Sequence, residues 1–239
     1  ILMFNPSFGE FFQDISGSIK NNQKRLSYGV SVTDFNKDGR FEFIVTGFKF
    51  PNLILSHKNG YLENINTNNL FADQTRSTIG VAACDIDNDG FEELYFLNTD
   101  TYSGQKQFSD RLLDNNKDII DLFQLDKNLR SLNLTAGRSV VCVDRNGDGK
   151  YGIYVANYGG PTRFYELKKG SIVDQAPLLN INRITGGRAV VAGHILSNYM
   201  DIFAANERGP NFLYKNENST YKDVAKSLGV EDKFENGRG

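Results

Sequence analysis

Short apolar runs of strand length alternate with polar turns along most of the chain. Several of these runs end directly before a loop rich in Asp, Asn and Gly, and others begin directly after one. β-branched and aromatic residues are frequent in the runs, which is typical of strands. The pattern predicts hairpins in which an acidic loop joins two strands, namely 30–33 with 43–45, 81–84 with 94–97 and 140–143 with 153–155.

Each hairpin is followed by segments with the same character. A third strand, often preceded by a proline, is predicted at 51–55, 161–165 and 210–214, and a fourth at 61–65, 119–123, 171–174 and 221–225. Segment 11–15 resembles a further copy of the fourth strand and precedes the first loop. Four strands per unit is the number found in a propeller blade.

The unit repeats with a period of about fifty residues, which is the range of propellers and solenoids. Equivalent positions are Gly29, Gly80, Ser139 and Ala189, and a new unit begins at 237–239. We therefore predict an all-β fold, a β-propeller of four-stranded antiparallel blades, with residues 1–239 forming one partial domain of about four blades. Strand 11–15 is expected to be the outer strand of the last blade of a ring that this fragment does not complete.

The acidic loops have the ligand spacing of calcium sites. Oxygen-bearing side chains occupy alternate positions, a glycine permits a tight turn, and the ninth position carries an acid in the first two loops. Ca²⁺ takes six to eight oxygens, so carboxylates and a backbone carbonyl are expected to surround it. The predicted ligands are Asp34, Asn36, Asp38, the Arg40 carbonyl and Glu42; Asp85, Asp87, Asp89, the Phe91 carbonyl and Glu93; and Asp144, Asn146, Asp148 and the Lys150 carbonyl. The competing interpretation is a set of solvated turns that hold no ion.

The later loops depart from this pattern. The third has Gly152 at the ninth position, so we expect the weakest calcium binding there, with water completing the ion's shell. On this reasoning a Gly152→Glu change should tighten binding. The fourth unit has His194 and Leu196 where ligands are needed, and Asp201→Ala there should remove no ion.

Bulk properties describe an ordinary globular chain. It has 239 residues, a net charge of −2, 39% hydrophobic and 23% charged residues. The chain lacks the excess of basic residues that is typical of nucleic-acid-binding proteins. Its longest apolar run is far shorter than the ~20 residues of a membrane-spanning helix. Cys84 and Cys142 are predicted to be buried free thiols, with a bridge between neighbouring repeats as the alternative.

The motifs resemble the FG-GAP or VCBS-type repeat of integrin α-chain heads, and more closely the cartilage acidic protein family. That resemblance implies a secreted extracellular-matrix glycoprotein with a seven-bladed propeller, which this chain begins. It also gives weight to glycosylation at the sequons of Asn133 and Asn218. The segments that carry the resemblance are 28–34, 79–87, 93–99, 136–140, 153–158 and 209–213.

The sequence is compatible with two functions, which belong to different classes of protein. The favoured one is a non-catalytic, calcium-stabilised platform that binds an extracellular protein or glycan. The alternative is part of a secreted enzyme or lectin with its site on other loops. His57 and His194 belong to no recognisable catalytic arrangement, so both are expected to be structural. The recurring Arg138, Arg188 and Arg238 are expected to pair neighbouring repeats, the alternative being a ring of ligand-facing guanidiniums.

Overall fold

The computed structural model describes residues 13–233 and has an all-β architecture of four-stranded antiparallel sheets that follow one another along the chain. In each sheet the strands lie in chain order, so every connection within a sheet joins neighbours. The first sheet contains β1 (Val30–Thr33), β2 (Glu42–Val45), β3 (Leu53–Lys58) and β4 (Tyr61–Asn64). The second contains β5 (Thr78–Cys84), β6 (Glu93–Asn98), β7 (Arg111–Asp114) and β8 (Ile120–Asp121).

The last two sheets are longer and are joined to each other. The third contains β9 (Gly137–Val143), β10 (Gly152–Pro161), β11 (Arg163–Lys168) and β12 (Ser171–Asp174). The fourth contains β13 (Ile184–Gly193), β14 (Asp201–Asn206), β15 (Phe212–Asn216) and β16 (Tyr221–Asp223). Pairing of β10 with β13, for example Tyr158 with Gly186, connects them into one eight-stranded sheet.

Helical structure in the described residues is short and lies between strands. It consists of α1 (Asn69–Ala72) and 3₁₀ turns at Ser16–Ser18, Leu122–Gln124 and Asp126–Ser131. None of these helices has the length or apolar character needed to span a bilayer. Each acidic loop joins the first two strands of its sheet, as the sequence predicts.

The hydrophobic core lies between consecutive sheets. Ile44 and Ile54 of the first sheet pack with Phe96 of the second, and similar clusters fill the space between the second and third and between the third and fourth sheets. The first strands β1, β5, β9 and β13 lie side by side in that order. This arrangement brings the acidic loops, which follow those strands, to one edge of the molecule.

The strand predictions fail at two places. Residues 11 and 12 lie outside the described part of the chain, and residues 13–15 form no strand, since a 3₁₀ turn follows and Ile19 makes only a single bridge with Leu62. The predicted strand 119–123 is a strand only at 120–121. Asp121 caps the next turn by accepting the backbone N–H of Phe123 at 3.1 Å. The unit predicted to begin at 237–239 also lies outside the described residues.

The favoured prediction of free thiols is wrong and its alternative, a bridge between neighbouring repeats, is confirmed: Cys84 and Cys142 form a disulfide with a Cα–Cα distance of 5.6 Å. The bridge joins the end of β5 to β9, so it ties the strand entering the second acidic loop to the strand entering the third. Sequence spacing alone could not show this pairing, because the two residues meet only when the neighbouring sheets stack. A disulfide is typical of proteins that fold in an oxidising compartment.

Candidate metal centre

The second acidic loop brings three carboxylates together. One oxygen from each of Asp85, Asp87 and Asp89 lies within 4.8 Å of the others. Asp85 is half-buried, whereas the other two side chains are exposed. Converging carboxylates are the donor set of a hard divalent cation such as Ca²⁺, so these residues fit the predicted ion. The Phe91 carbonyl ligand stays a prediction.

The local backbone explains why the carboxylates converge. Asp85 accepts the backbone N–H groups of Asn88 at 2.6 Å and Gly90 at 3.0 Å, so its side chain closes the loop on itself. Asn88 (φ 65°) and Gly90 (φ 87°) adopt left-handed conformations. Gly90 allows this without a Cβ clash, and Asn is among the few other residues that tolerate it.

Glu93, at the ninth position, is buried beneath the loop with 3% of its surface exposed. Its Oε2 accepts the backbone N–H of Ile86 at 2.9 Å. Burial, together with the nearby charges of Asp87 and Asp114, raises the pKa of Glu93 to about 8. Burial and the neighbouring carboxylate of Asp89 also raise the pKa of Asp87. Crowded carboxylates of this kind are stabilised when a divalent cation neutralises them.

Asp114 is a carboxylate near this site that the sequence did not reveal. It is the last residue of β7, and Leu113 beside it pairs with Leu94, so Asp114 lies across the hairpin from Glu93. Its charge raises the pKa of both Glu93 and Asp87. No proline precedes β7, unlike the other third strands, and its register with β6 was therefore not predictable from the repeat pattern.

The first loop repeats this hydrogen-bonding pattern. Asp34 accepts the N–H groups of Asp38 at 3.0 Å and Gly39 at 2.9 Å. Fully buried Glu42 accepts the N–H of Phe35 at 3.0 Å and the Ser56 hydroxyl at 2.9 Å. The middle predicted ligand is the neutral Asn36, whose Oδ1 accepts the N–H of Asp38 at 3.0 Å. The first loop is thus shaped like the second but carries less negative charge; the Arg40 carbonyl ligand stays a prediction.

The third loop keeps the turn but lacks the buried glutamate. Asp144 accepts the N–H groups of Gly147 at 2.8 Å and Gly149 at 3.0 Å, and Asp148 accepts that of Lys150 at 3.0 Å. The Asn146 N–H also donates to Asp144, at 3.3 Å. Ligation by Asn146 and by the Lys150 carbonyl stays a prediction.

Gly152 has no room for the side chain that the sequence reasoning would place there. A Cβ on Gly152 would lie 2.6 Å from the Phe164 ring and 3.2 Å from the Tyr165 carbonyl oxygen. The nearby acid is instead Glu166 on β11, which forms ion pairs with Arg145 and Lys168. The expected benefit of Gly152→Glu is therefore corrected, because the substitution would disrupt packing before it could supply a ligand.

In the fourth loop, a buried carboxylate organises the turn through hydrogen bonds to backbone N–H groups. Asp201 pairs with Gly193 and so occupies the place that Glu93 has in the second sheet. It is fully buried, and it accepts the N–H groups of Ile195 at 3.1 Å and Asn216 at 2.7 Å among other donors. Burial opposes ionisation of Asp201, but these hydrogen bonds outweigh it and lower its pKa. Asp201→Ala is consequently a structural perturbation and not the neutral control that the sequence suggested.

The two sequons differ in accessibility. Asn133 is fully buried, and its amide donates to Asp110 at 2.6 Å and Asn157 at 3.0 Å. The folded chain therefore offers no accessible amide at Asn133, which corrects the glycosylation prediction there. Asn218 lies exposed in the turn between β15 and β16, and its glycosylation stays a prediction.

The repeated arginines connect different sheets at the strand ends opposite the acidic loops, Arg138 reaching from the third sheet and Arg188 from the fourth to the segment after β6. Arg138 donates to the Thr99 hydroxyl at 3.3 Å, and Arg188 donates to the Tyr102 hydroxyl at 3.0 Å and to Glu207 at 2.8 Å. Both guanidinium groups lie 5.1–5.8 Å from the ring centres of Tyr102 and Tyr158. The predicted pairing between repeats is thus observed, while Arg238 lies outside the described residues.

Comparison with a solved structure supports the fold. One chain of the crystal structure of BBS1N in complex with ARL6DN superposes on this chain with a TM-score of 0.52 and 10% sequence identity. The match covers 83% of this chain and 57% of that chain. At this identity the likeness concerns the fold alone.

Sequence comparison identifies the family. Residues 34–96 match the FG-GAP-like repeat. Cartilage acidic protein 1 of Xenopus tropicalis is 42% identical over 246 residues, and that of Homo sapiens is 42% identical over 248. Each match covers 92% of this chain, which spans 38% and 37%, respectively, of the two relatives. The resemblance found in the motifs is confirmed: the chain is a homologue of cartilage acidic protein 1 over most of its length and carries an FG-GAP-like repeat.

Proposed function

We propose that this chain is a calcium-binding, non-catalytic part of an extracellular binding platform. The observation that carries the proposal is the convergence of Asp85, Asp87 and Asp89 above the buried Glu93. Without a cation these like charges repel one another, so Ca²⁺ stabilises the folded chain. The first loop binds in the same way with less charge, and the third binds most weakly because Gly152 supplies no acid.

The extracellular, non-catalytic part of the proposal draws on the relatives and on the disulfide. Cartilage acidic proteins are named for a matrix tissue, and the Cys84–Cys142 bridge suits secretion into an oxidising compartment. The two histidines are exposed on different sheets, His57 on β3 and His194 in the fourth loop, so they do not combine into a catalytic pair. The ligand of the platform is an extracellular protein or glycan.

The proposed platform is a closed β-propeller completed by further repeats. In the described residues, Val30 and Val32 of β1 are 60% and 47% exposed, and Val191 of β13 is 58% exposed. These strands lie at the two ends of the row of first strands, so additional repeats would cover them. This chain alone should self-associate more than a longer protein that contains the remaining repeats. Equal monodispersity of the two in analytical ultracentrifugation would count against closure.

Calcium binding is tested by removing one central carboxylate. Asp87→Ala should lower the number of bound calcium ions by one in isothermal titration calorimetry, and calcium should raise Tm less than in the parent chain. The matched control is Asp126→Ala, which removes an exposed acid from a 3₁₀ turn distant in sequence from the loops. An unchanged calcium stoichiometry in Asp87→Ala would contradict the assignment.

A further inference from the structure

A cleft of about 640 Å³ opens at the strand ends opposite the acidic loops. It lies where three sheets meet, because its lining includes Phe48 after β2, Tyr102 after β6 and Arg138 at the start of β9. Its volume falls within the range of about 300–1,000 Å³ that is usual for small-molecule sites. It is separate from the metal centre, since β6 runs away from the second acidic loop toward the cleft.

The lining of this cleft is cationic, aromatic and rich in hydroxyl groups. Lys49 and Arg138 supply positive charge, and the Thr101 side chain supplies a hydroxyl. Asp100 also lines the cleft, but its carboxylate is engaged by the backbone N–H groups of Gln107 at 3.0 Å and Phe108 at 2.9 Å. Asp100 keeps its charge, so two cations against one carboxylate give the lining a net positive charge.

Arg138 is arranged to receive an anion. The rings of Tyr102 and Tyr158 lie 5.3 Å from its guanidinium and hold it in place, and within residues 13–233 no carboxylate forms an ion pair with it. Its Nη atoms donate to neutral acceptors, namely the Thr99 hydroxyl and the carbonyls of Gly137 and Tyr102, so these contacts position the guanidinium without cancelling its charge. Arg188, at the equivalent position of the next sheet, differs because Glu207 neutralises it. Glu207 also acts on Arg138 through its charge but forms no ion pair with it, so the positive charge of Arg138 is only partly compensated and can pair with a ligand.

We propose that this cleft binds an acidic sugar unit of a glycan, with the sugar carboxylate held by Arg138 and Lys49. The inference rests on the proposed function, since it names the ligand class of the binding platform. A carboxylate pairs well with the planar guanidinium and with the ammonium group. The aromatic walls formed by Phe48, Tyr102 and Phe108 favour a sugar, because its apolar C–H face packs on a ring while its hydroxyls bond with Thr101.

Three probes separate the possible ligand classes in calorimetric titrations of the full chain with calcium present. Tetragalacturonate carries the carboxylates on a sugar backbone, its methyl ester has the same backbone without charge, and tetraglutamate carries the charge on a peptide. We expect tetragalacturonate to bind, with an affinity that falls as the salt concentration rises. The other two probes should bind at least about ten-fold more weakly. Equal binding of the methyl ester, or equal or tighter binding of tetraglutamate, would overturn the proposal, as would no binding of tetragalacturonate.

Two variants and a control locate the site. Arg138→Gln and Lys49→Met should each weaken tetragalacturonate binding about ten-fold, because each removes a charge-assisted contact. Lys49 is exposed, so its variant tests the site even if Arg138→Gln perturbs the fold. Lys222→Met makes the same charge change at an exposed position of β16 and should leave affinity unchanged. Unchanged affinity in Lys49→Met overturns the proposal.

The same samples distinguish this inference from the calcium proposal. Calcium stoichiometry is measured on every variant before the probe is added. If the parent chain binds calcium but not tetragalacturonate, the glycan site alone is overturned. If the parent chain binds no calcium and calcium does not raise its Tm, the proposed function is overturned.

Discussion

Gly152 provides a sharp test of the packing beside the third loop. A methyl group added there would lie 2.6 Å from Cε1 and 2.7 Å from Cζ of the Phe164 ring, and 3.2 Å from the Tyr165 carbonyl oxygen. Phe164 is fully buried, so its ring has little freedom to move aside. The φ of Gly152 is not positive, so the cost of a side chain is steric and does not come from backbone strain.

The expected magnitude follows from overpacking. Gly152→Ala should destabilise the fold by about 2 kcal/mol, because inserting a methyl group into a filled core typically costs about 1–3 kcal/mol. For a chain of this size that loss lowers Tm by roughly 4–8 °C. Gly152→Glu should cost more, since it adds a longer charged side chain near Glu166, and it should not tighten calcium binding.

The assay is thermal unfolding by circular dichroism with a matched glycine control. Gly193 lies at the end of β13, and a Cβ there would meet no atom within 4 Å, so Gly193→Ala should change Tm little or raise it. In the double variant Gly152→Ala with Phe164→Leu, the smaller side chain should recover part of the loss, which a double-mutant cycle measures. Equal Tm values for Gly152→Ala and the parent chain, or tighter calcium binding in Gly152→Glu, would refute the packing argument.

Three further predictions concern the acids and the disulfide. The pKa of Glu93 is raised from 4.5 to about 8, so the calcium-free fold should lose stability as pH rises through that window, while calcium binding tightens and releases a proton. Glu93→Gln should abolish this pH dependence of stability and of calcium binding in titrations. Its persistence in the variant would be contrary evidence. Reducing the Cys84–Cys142 bridge, which spans 58 residues, should lower the free energy of unfolding by about 4 kcal/mol in the chain-entropy treatment. Urea unfolding with and without dithiothreitol measures this loss. Identical unfolding midpoints after complete reduction would contradict the prediction. Asp201→Ala should destabilise the fourth sheet by about 3 kcal/mol because several N–H groups, including that of buried Asn216, lose their acceptor. Hydrogen exchange at Ile195 and Asn216 should accelerate, and protection equal to that in the parent chain would count against the prediction.

Much of the architecture could be predicted from local sequence alone. The apolar runs beside the acidic loops are the first and second strands of their sheets, because β-branched and aromatic side chains suit a strand buried between two sheets. The spacing of Asp85, Asp87 and Asp89 also predicts their convergence, since alternate positions of a tight loop turn toward the same point. These features depend on residues close together in the chain.

The failed predictions for the cysteines and for Asn133 depend on residues that are distant in sequence. The disulfide forms because neighbouring sheets place Cys84 beside Cys142, and Asn133 is inaccessible because Asp110 and Asn157 surround its amide. The pattern of a single strand contains neither contact.

The repeated sequence determined the strand order, the acidic loops and the family, because each repeat unit carries its own hydrophobic and turn signals. The tertiary structure decided which positions have room and which charges are compensated. It filled the space beside Gly152 with Phe164, placed Asp114 across from Glu93, and gave the ion pair with Glu207 to Arg188 and not to Arg138. The physical reason is that steric space and electrostatic pairing depend on which sheets stack together, and a repeat motif specifies a sheet without specifying its neighbours' side chains.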